Sequence, residues 1–96
     1  MKVSTVDFKY AVHFSTKFKK DYKRIKKQGK DISKLKVVVK KLANGEQLDV
    51  KYKNCSECYI EPDWLLIYQY IDNELILLLV NTGSHNELFD KWLIIS

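Results

Sequence analysis

Apolar side chains recur along this chain with two different periods, and the first period is two. Aromatic or aliphatic residues occupy every second position from Phe8 to Phe14, with Lys9, Ala11 and His13 between them. This alternation predicts a half-buried strand whose aromatic side faces the core. His13 falls on the polar side of that strand, so it is expected at the surface.

The period then changes to that of an α-helix. Phe18, Tyr22 and Ile25 form a narrow apolar stripe, which predicts a helix that begins after residue 15 or 16 and ends at Gly29. A second helix is predicted from residue 31 or 33 to the Asn44-Gly45 pair. Because only about two or three residues separate them, the two helices should form an antiparallel hairpin.

The second half of the chain is dominated by apolar runs. They predict three strands, at residues 55–60, 64–71 and 75–80. Pro62 lacks an N–H and marks a turn between the first two strands, and Asp72-Asn73-Glu74 forms the next turn. Thr82-Gly83 is expected to end the last strand, and Ser84 to cap a short helical turn after it. Residues 46–54 are expected to be a connection.

The predicted order β-α-α-β-β-β defines an α+β fold class. The helical hairpin is expected to pack on one face of a small, mainly antiparallel sheet. Ninety-six residues predict a single domain over residues 1–96. No apolar run approaches the roughly 20 residues of a membrane span, and the N-terminus lacks the apolar segment of a signal peptide. We therefore expect a cytoplasmic protein with no membrane partner.

Charge is divided unevenly between the two halves. Residues 1–54 carry 16 Lys or Arg against 5 Asp or Glu, whereas residues 55–96 carry 1 against 7. Such a basic half predicts a surface that faces a polyanion, although a merely solvated helix face is the alternative. The first helix is predicted to contact RNA backbone through Lys19, Lys20, Lys23, Arg24, Lys26 and Lys27.

The segment C-S-E-C at residues 55–58 resembles half of a zinc or redox motif. The chain has no second cysteine pair, and both histidines lie far away in the sequence. The segment also reads as a strand, in which residues three apart point to opposite faces. We therefore predict no metal site and no cofactor.

Two C-terminal motifs resemble the RelE superfamily of bacterial toxins, in particular its YafQ-like branch. The motifs are E-P-D-W-L-L-I-Y at residues 61–68 and L-I-L-L-L-V-N-T-G-S-H-N-E-L-F at residues 75–89. The segment F-K-K-D-Y-K-R-I-K-K-Q-G-K-D-I-S-K-L at residues 18–35 fits the same branch. The two C-terminal motifs at this spacing are specific, whereas either one alone is weak.

The resemblance implies a toxin of a type II toxin–antitoxin system that cuts mRNA in the ribosomal A site. Such toxins are metal-independent endoribonucleases, in which the ribose 2′-hydroxyl attacks the adjacent phosphate. The implied partners are a cognate antitoxin of RelB or DinJ type, the ribosome with its mRNA, and operator DNA reached only through the antitoxin.

The resemblance also implies roles for particular residues. The acid after Glu-Pro matches Asp63 and the histidine of T-G-S-H matches His85, and both are expected to be catalytic. Trp64 and Phe89 match aromatic positions, and each is expected either to stack on an RNA base or to belong to the core.

This sequence departs from the branch at two histidines. Tyr59 stands where the branch commonly reads C-H-I-E-P-D-W, and the loop before that strand is shortened. Asp63 is then expected to act as the base and His85 as the acid. Tyr59 is expected either to be a packing aromatic or to donate a hydrogen bond to phosphate, because a tyrosine with an ordinary pKa of about 10 is a poor base. A missing acid–base group typically costs about 10²–10⁴-fold in rate, so we expect an attenuated enzyme. Lys51 and Lys53, just upstream, are predicted to contact mRNA phosphate.

Two other functions stay open. One is a catalytically inactive module of the same fold, which binds the antitoxin and co-represses its operon. The other is a toxin of the related ParE type that acts on gyrase, against which His85 and the E-P-D-W motif argue.

Overall fold

The strands and helices follow the predicted order, with one strand added. The computed structural model describes residues 8–46, 50–52 and 55–88. The elements are β1 (Ala11–Phe14), α1 (Thr16–Lys27), α2 (Ile32–Ala43), β2 (Val50–Tyr52), β3 (Cys55–Glu61), β4 (Trp64–Ile71) and β5 (Ile76–Gly83). A 3-10 turn, Asp72–Glu74, joins β4 to β5, and a helical turn at residues 85–88 follows β5.

Strand β2 corrects the prediction that residues 46–54 are only a connection. Val50–Tyr52 pairs antiparallel with β3, from Val50 opposite Glu57 to Tyr52 opposite Cys55. Three residues are too few to display a period-two pattern, so pairing with the neighbouring strand defines this element rather than its own sequence.

The five strands form one sheet in the order β1-β5-β4-β3-β2. Strand β1 runs parallel to β5, and the other three neighbouring pairs are antiparallel. The sheet is therefore mainly antiparallel, as predicted. Its first strand in sequence sits beside its last, with the helical hairpin and three strands formed from the chain between them.

Both helices begin and end at the predicted signals. The Ser15 side chain accepts a hydrogen bond of 2.9 Å from the N–H three residues on, and Asp31 caps α2 in the same way at 3.0 Å from Ser33. Gly29 follows the end of α1 with φ +81°, and Gly45 follows α2 with φ +88°. Glycine adopts this left-handed conformation without a Cβ clash, so both helices can stop there.

The helices cover one face of the sheet, and the core lies between the helices and that face. Strands and helices both contribute to it, through Trp64, Leu66, Tyr68, Leu77 and Leu79 from the sheet and Phe18, Ile25, Leu35, Val39 and Leu42 from the helices. We call the opposite side the open face of the sheet. Alternation along the strands places Tyr59 and Leu65 there, because their neighbours Cys58 and Trp64 point into the core.

Thr82 and Gly83 belong to the last strand, which corrects the prediction that this strand covers only residues 75–80. Leu66 pairs with Thr82 and Leu65 with Gly83, so β5 runs on to residue 83. The register shifts between Ile67 and Tyr68, and this bulge turns the Thr82 side chain toward the helices. Thr82 is fully buried there, where the Trp64 indole N–H donates to its hydroxyl at 2.9 Å.

The fold also bears on the predictions about a membrane span and about the cysteine pair. No helix in the described part of the chain is long and apolar enough to cross a membrane. The Cys58 side chain is buried in the core, whereas the side chain of Cys55 lies outside what the structure describes.

Candidate active site

Tyr59 and His85 meet at the end of the sheet where β3, β4 and β5 come together. The Tyr59 hydroxyl lies 2.8 Å from His85 Nε2, and the two ring centroids are 5.8 Å apart. Tyr59 is 52% exposed, and His85 is exposed as well. A phenol and an imidazole are thus joined by a hydrogen bond that a ligand can approach from solvent.

The third predicted catalytic residue lies beside them. Asp63 occupies the two-residue turn between β3 and β4, and its Oδ1 accepts a long hydrogen bond of 3.4 Å from the backbone N–H of His85. Its carboxylate is exposed. The structure therefore brings Asp63, Tyr59 and His85 to one place, although Asp63 contacts the His85 backbone rather than the imidazole.

The local sequence explains how these three side chains converge. Pro62 and Asp63 form a tight turn after Glu61, which pairs directly with Trp64. Tyr59 precedes that turn on β3 and points to the open face, opposite Leu65. His85 follows β5, the neighbour of β4 on its other side. Two strand connections at the same end of the sheet therefore deliver the three groups.

His85 begins a short helical turn whose ends are tied together. The Ser84 N–H donates to Glu87 Oε1 at 2.9 Å, and the Glu87 N–H donates to Ser84 Oγ at 3.2 Å. This reciprocal pair is a capping box, and it confirms Ser84 as the predicted cap. His85 lies between its two members.

The prediction that Trp64 stacks on an RNA base is wrong. Its side chain is fully buried in the core, and its indole N–H is bound to Thr82. The ammonium of Lys30 lies 5.5 Å from the centroid of its ring. A ring without exposed surface offers no face to a base, so Trp64 instead anchors the strand that carries the site.

Arg24 differs from the other predicted cations of α1 because it is only partly exposed and its guanidinium is paired. Its guanidinium contacts the Asp21 carboxylate at 2.7 Å, the Thr82 carbonyl at 2.8 Å and Glu87 Oε2 at 2.9 Å. Its side chain is 33% exposed and lines a surface groove together with lysines of α1, so its contact with RNA stays a prediction. Asp21, 1% exposed, was missed altogether, although its position three residues after Phe18 and four before Ile25 puts it on the apolar stripe.

The remaining predicted cations of α1 do lie at the surface. All five are exposed, at Lys19, Lys20, Lys23, Lys26 and Lys27. Three of them line a surface groove of about 430 Å³ together with Phe14, Phe18 and Tyr22. The three rings follow one another, with centroids 5.5 Å and 6.4 Å apart. We call the surface formed by these five lysines the basic face of α1.

Three predicted RNA-binding residues lie outside what the structure describes. They are Lys53 and Phe89, and the side chain of Lys51, whose backbone belongs to β2. Their roles stay predictions. Among the described residues, no group of three or more His, Cys, Asp and Glu side chains is placed to hold a metal ion.

Comparison with known proteins identifies the relatives of this chain. The profile of a family described as "Bacterial toxin of type II toxin-antitoxin system, YafQ" matches residues 10–90. The mRNA interferase toxin YafQ of Escherichia coli strain B / BL21-DE3 is 33% identical, over 81% of this chain and 94% of that protein. The K12 toxin of the same name is 32% identical over the same shares.

Solved structures resemble the whole described fold. A metal-bound toxin from Helicobacter pylori superposes with a TM-score of 0.77 at 39% identity, covering 83% of this chain and 99% of the other. The toxin in the E. coli DinJ-YafQ toxin–antitoxin complex gives 0.70 at 31% identity, with 84% and 98% covered. Fold and sequence therefore point to the same group of proteins.

Proposed function

We propose that this chain, which belongs to the YafQ family of bacterial toxins of type II toxin–antitoxin systems, cuts mRNA on the ribosome at a site built from Asp63, Tyr59 and His85. The curated relatives are named mRNA interferases, so the enzyme class is endoribonuclease. The observation that carries the proposal is the hydrogen bond of 2.8 Å between Tyr59 and His85 Nε2 on the exposed end of the sheet.

The reaction we propose needs only groups of the protein and the RNA. Asp63 accepts the proton of a ribose 2′-hydroxyl, whose oxygen attacks the adjacent phosphorus. The bond from phosphorus to the 5′-oxygen breaks, and His85 Nε2 gives its proton to that leaving oxygen. The products are a 2′,3′-cyclic phosphate and a 5′-hydroxyl.

Tyr59 supports this reaction in two ways. Its hydroxyl holds the imidazole in one orientation before substrate binds. Once RNA occupies the site, the same hydroxyl donates to a phosphate oxygen and stabilises the developing charge. Because the phenol and imidazole are both exposed and in contact, one phosphate group can lie against both.

The basic face of α1 gives the toxin a means of binding the ribosome. Five exposed lysines with no carboxylate exposed among them on α1 attract the phosphates of ribosomal RNA. Lys51, Lys53 and Phe89 are proposed to contact the mRNA itself. This reaction takes place on translating ribosomes, so we propose the cytoplasm as its location.

The proposed protein partner is a cognate antitoxin. The E. coli relative is solved in complex with DinJ, and an antitoxin of RelB or DinJ type fits this chain by the same family membership. Contact with operator DNA is proposed to occur only through that antitoxin.

We also propose that this toxin is attenuated. A tyrosine at position 59 supplies a hydrogen bond but is a weaker acid–base group at neutral pH than an imidazole. His85 is then the one imidazole among the described residues of the site. The turnover of the reaction should consequently be slow, even with the geometry intact.

The experiment is cleavage of a defined mRNA on purified, programmed ribosomes, with the 3′ ends of the products mapped. We expect cleavage with a 2′,3′-cyclic phosphate end, and none of the same RNA without ribosomes. His85→Ala should lower the rate about 10²–10⁴-fold. His13→Ala is the matched control, since it removes the other imidazole from exposed β1, and should leave the rate unchanged.

Two results would contradict the proposal. Equal cutting by the parent chain and His85→Ala would exclude His85 from the chemistry. A parent chain that binds the antitoxin tightly but leaves every mRNA intact would establish the inactive co-repressor module instead.

A further inference from the structure

A buried carboxylate on α1 reaches across to the strand that leads to His85. Asp21 is 1% exposed, and it accepts from the Lys17 ammonium at 3.0 Å and from the Arg24 guanidinium at 2.7 Å. Its second oxygen accepts from the backbone N–H of Thr82 at 3.1 Å. A charge this deeply buried is strongly unfavourable unless it is paired and hydrogen-bonded, so all three contacts are needed to keep it there.

Arg24 binds the other side of the same residue. Its Nη2 donates to the Thr82 carbonyl at 2.8 Å, while Nη1 donates to Asp21 and Nε lies 2.9 Å from Glu87 Oε2. Both backbone polar groups of Thr82 are thus held by side chains of α1. The planar guanidinium reaches three partners at once, which an ammonium cannot do. We call Asp21, Arg24, Thr82 and Glu87 the Arg24 clamp.

Glu87 connects the clamp to the turn that carries His85. One oxygen accepts from Ser84 N–H at 2.9 Å, and the other accepts from Gln28 Nε2 at 2.9 Å and faces Arg24. Partial burial acts to raise its pKa, but the bond from the Ser84 backbone, the bond from Gln28 and the charge of Arg24 together hold the pKa below its ordinary value. The carboxylate is therefore ionised in its role as a link.

Gly83 lets the guanidinium lie close to the backbone. A Cβ at this position would be 2.5 Å from Arg24 Nη2 and 3.0 Å from Glu87 Oε1, and its φ of +156° is one that other residues rarely adopt. Any larger residue would push both clamp side chains away. The space left by this glycine is therefore filled by the clamp.

We infer that Arg24, acting with Asp21 and Glu87, is a positioning residue that fixes His85 for the cleavage reaction. This inference rests on the proposed function. Residues 82, 84 and 87 are each bound by the clamp or its capping box, so His85 sits on a turn with anchored neighbours on both sides. General acids need this order, since a misplacement of about 1 Å can cost about 10²-fold in rate.

The kinetic test separates positioning from ribosome binding. Arg24→Lys keeps the charge but loses the fork, and Glu87→Gln keeps a hydrogen-bonding side chain but loses the ion pair. We expect kcat on programmed ribosomes to fall about 10–10²-fold in both, with KM for ribosomes within about twofold. Lys40→Gln, an exposed α2 lysine outside the site, removes one charge as a control and should change neither constant.

A second measurement does not depend on cleavage. NMR of the free toxin reports backbone relaxation at residues 83–87 and the side-chain rotamer of His85 through its coupling constants. In Arg24→Lys and Glu87→Gln, we expect residues 83–87 to become more mobile and His85 to populate additional rotamers. The signals of His13 serve as the internal reference and should not change.

The two measurements together distinguish the possible failures. If the parent chain does not cut mRNA, the proposed function fails, but the NMR result still decides whether the clamp orders His85. If the variants lower only the melting temperature, and leave both kcat and the ordering of His85 as in the parent, the clamp is purely structural and the inference is overturned.

Discussion

Trp64 and Tyr59 belong to the same hairpin, yet one is fully buried and the other is 52% exposed. Trp64 points toward the helices and joins the core, whereas Tyr59 points to the open face and contacts His85. These two side chains therefore differ in function as well as in solvent exposure. Trp64 holds the fold together in the core, whereas Tyr59 presents a polar group at a strand end, opposite Leu65, which is itself fully buried.

Loss of a side chain should affect stability differently in the core and at an exposed position of the open face. Loss of a core side chain removes many van der Waals contacts and exposes a cavity, so it lowers stability. Loss of a group on the open face removes one hydrogen bond that is already open to water, so it changes stability little. Substitutions that change one face at a time test this difference.

The largest expected effect comes from the buried member of the pair. Trp64→Ala should lower the free energy of unfolding by about 3–5 kcal/mol, because the ring is fully buried and its N–H is bound to Thr82. Tyr59→Ala should change it by no more than about 0.5 kcal/mol. Urea unfolding followed by circular dichroism measures both, and equal losses would show that the two faces are not separated in this way.

Tyr59→His changes the open face and should affect the cleavage rate rather than stability. The new imidazole should raise the cleavage rate on ribosomes by about tenfold or more, since one acid–base group typically contributes about 10²–10⁴-fold. The melting temperature should stay close to that of the parent. Tyr59→Phe is the matched variant, and it should lower the rate because it removes the hydroxyl bound to His85. A histidine variant no faster than the parent would remove the argument for attenuation.

The basic face of α1 should respond to salt rather than to catalysis. Replacing Lys20 and Lys23 by Gln should reduce the slope of log affinity for ribosomes against log salt by about 0.7–0.9 for each RNA phosphate that is no longer neutralised. The kcat value should remain that of the parent. Binding measured between 50 and 300 mM salt, roughly spanning the physiological range, provides the slope. An unchanged slope would mean that these lysines face solvent in the complex.

The smallest effect concerns acid. The pKa of Glu87 is lowered in the folded state, so the stability that its ionised form contributes is present above its ordinary value of 4.5 and is lost as the pH falls through the lower folded value. The melting temperature of the parent should therefore exceed that of Glu87→Gln near neutral pH. This difference should shrink as the pH falls through the lowered pKa that Glu87 has in the folded protein. A difference that persisted or grew toward acid would contradict this assignment. The groups facing the carboxylate are Arg24, Gln28 and the Ser84 N–H.

The fold was largely predictable because its signals are local. Ser15, Asp31, Gly29 and Gly45 set the helix ends by contacts within a few residues, so the sequence displays them directly. The first strand is shorter than predicted, beginning at Ala11 rather than Phe8. Strand β2 was missed because its pairing with β3, and not its own pattern, makes it a strand.

The site was predictable only in part, for a physical reason. Asp63 and His85 stand in motifs, and the structure brings them together with Tyr59. Arg24 lies within a run of cations where composition gives no sign that one member turns inward. Trp64 begins an unbroken apolar run, so alternation does not show which face it occupies. In both cases the direction of the side chain depends on tertiary contacts, which the sequence pattern does not display.

The parallel pairing of β1 with β5 has a consequence for synthesis. Within the described sheet, residues 11–14 pair with residues 76–79, so β1 gains this partner only after the helices and the three intervening strands have been made. His85 is made later still, because it begins the helical turn that follows β5. A nascent chain that has not yet reached residue 85 therefore lacks both the complete described sheet and the imidazole of the candidate site, so this site can form only after β5 has been made.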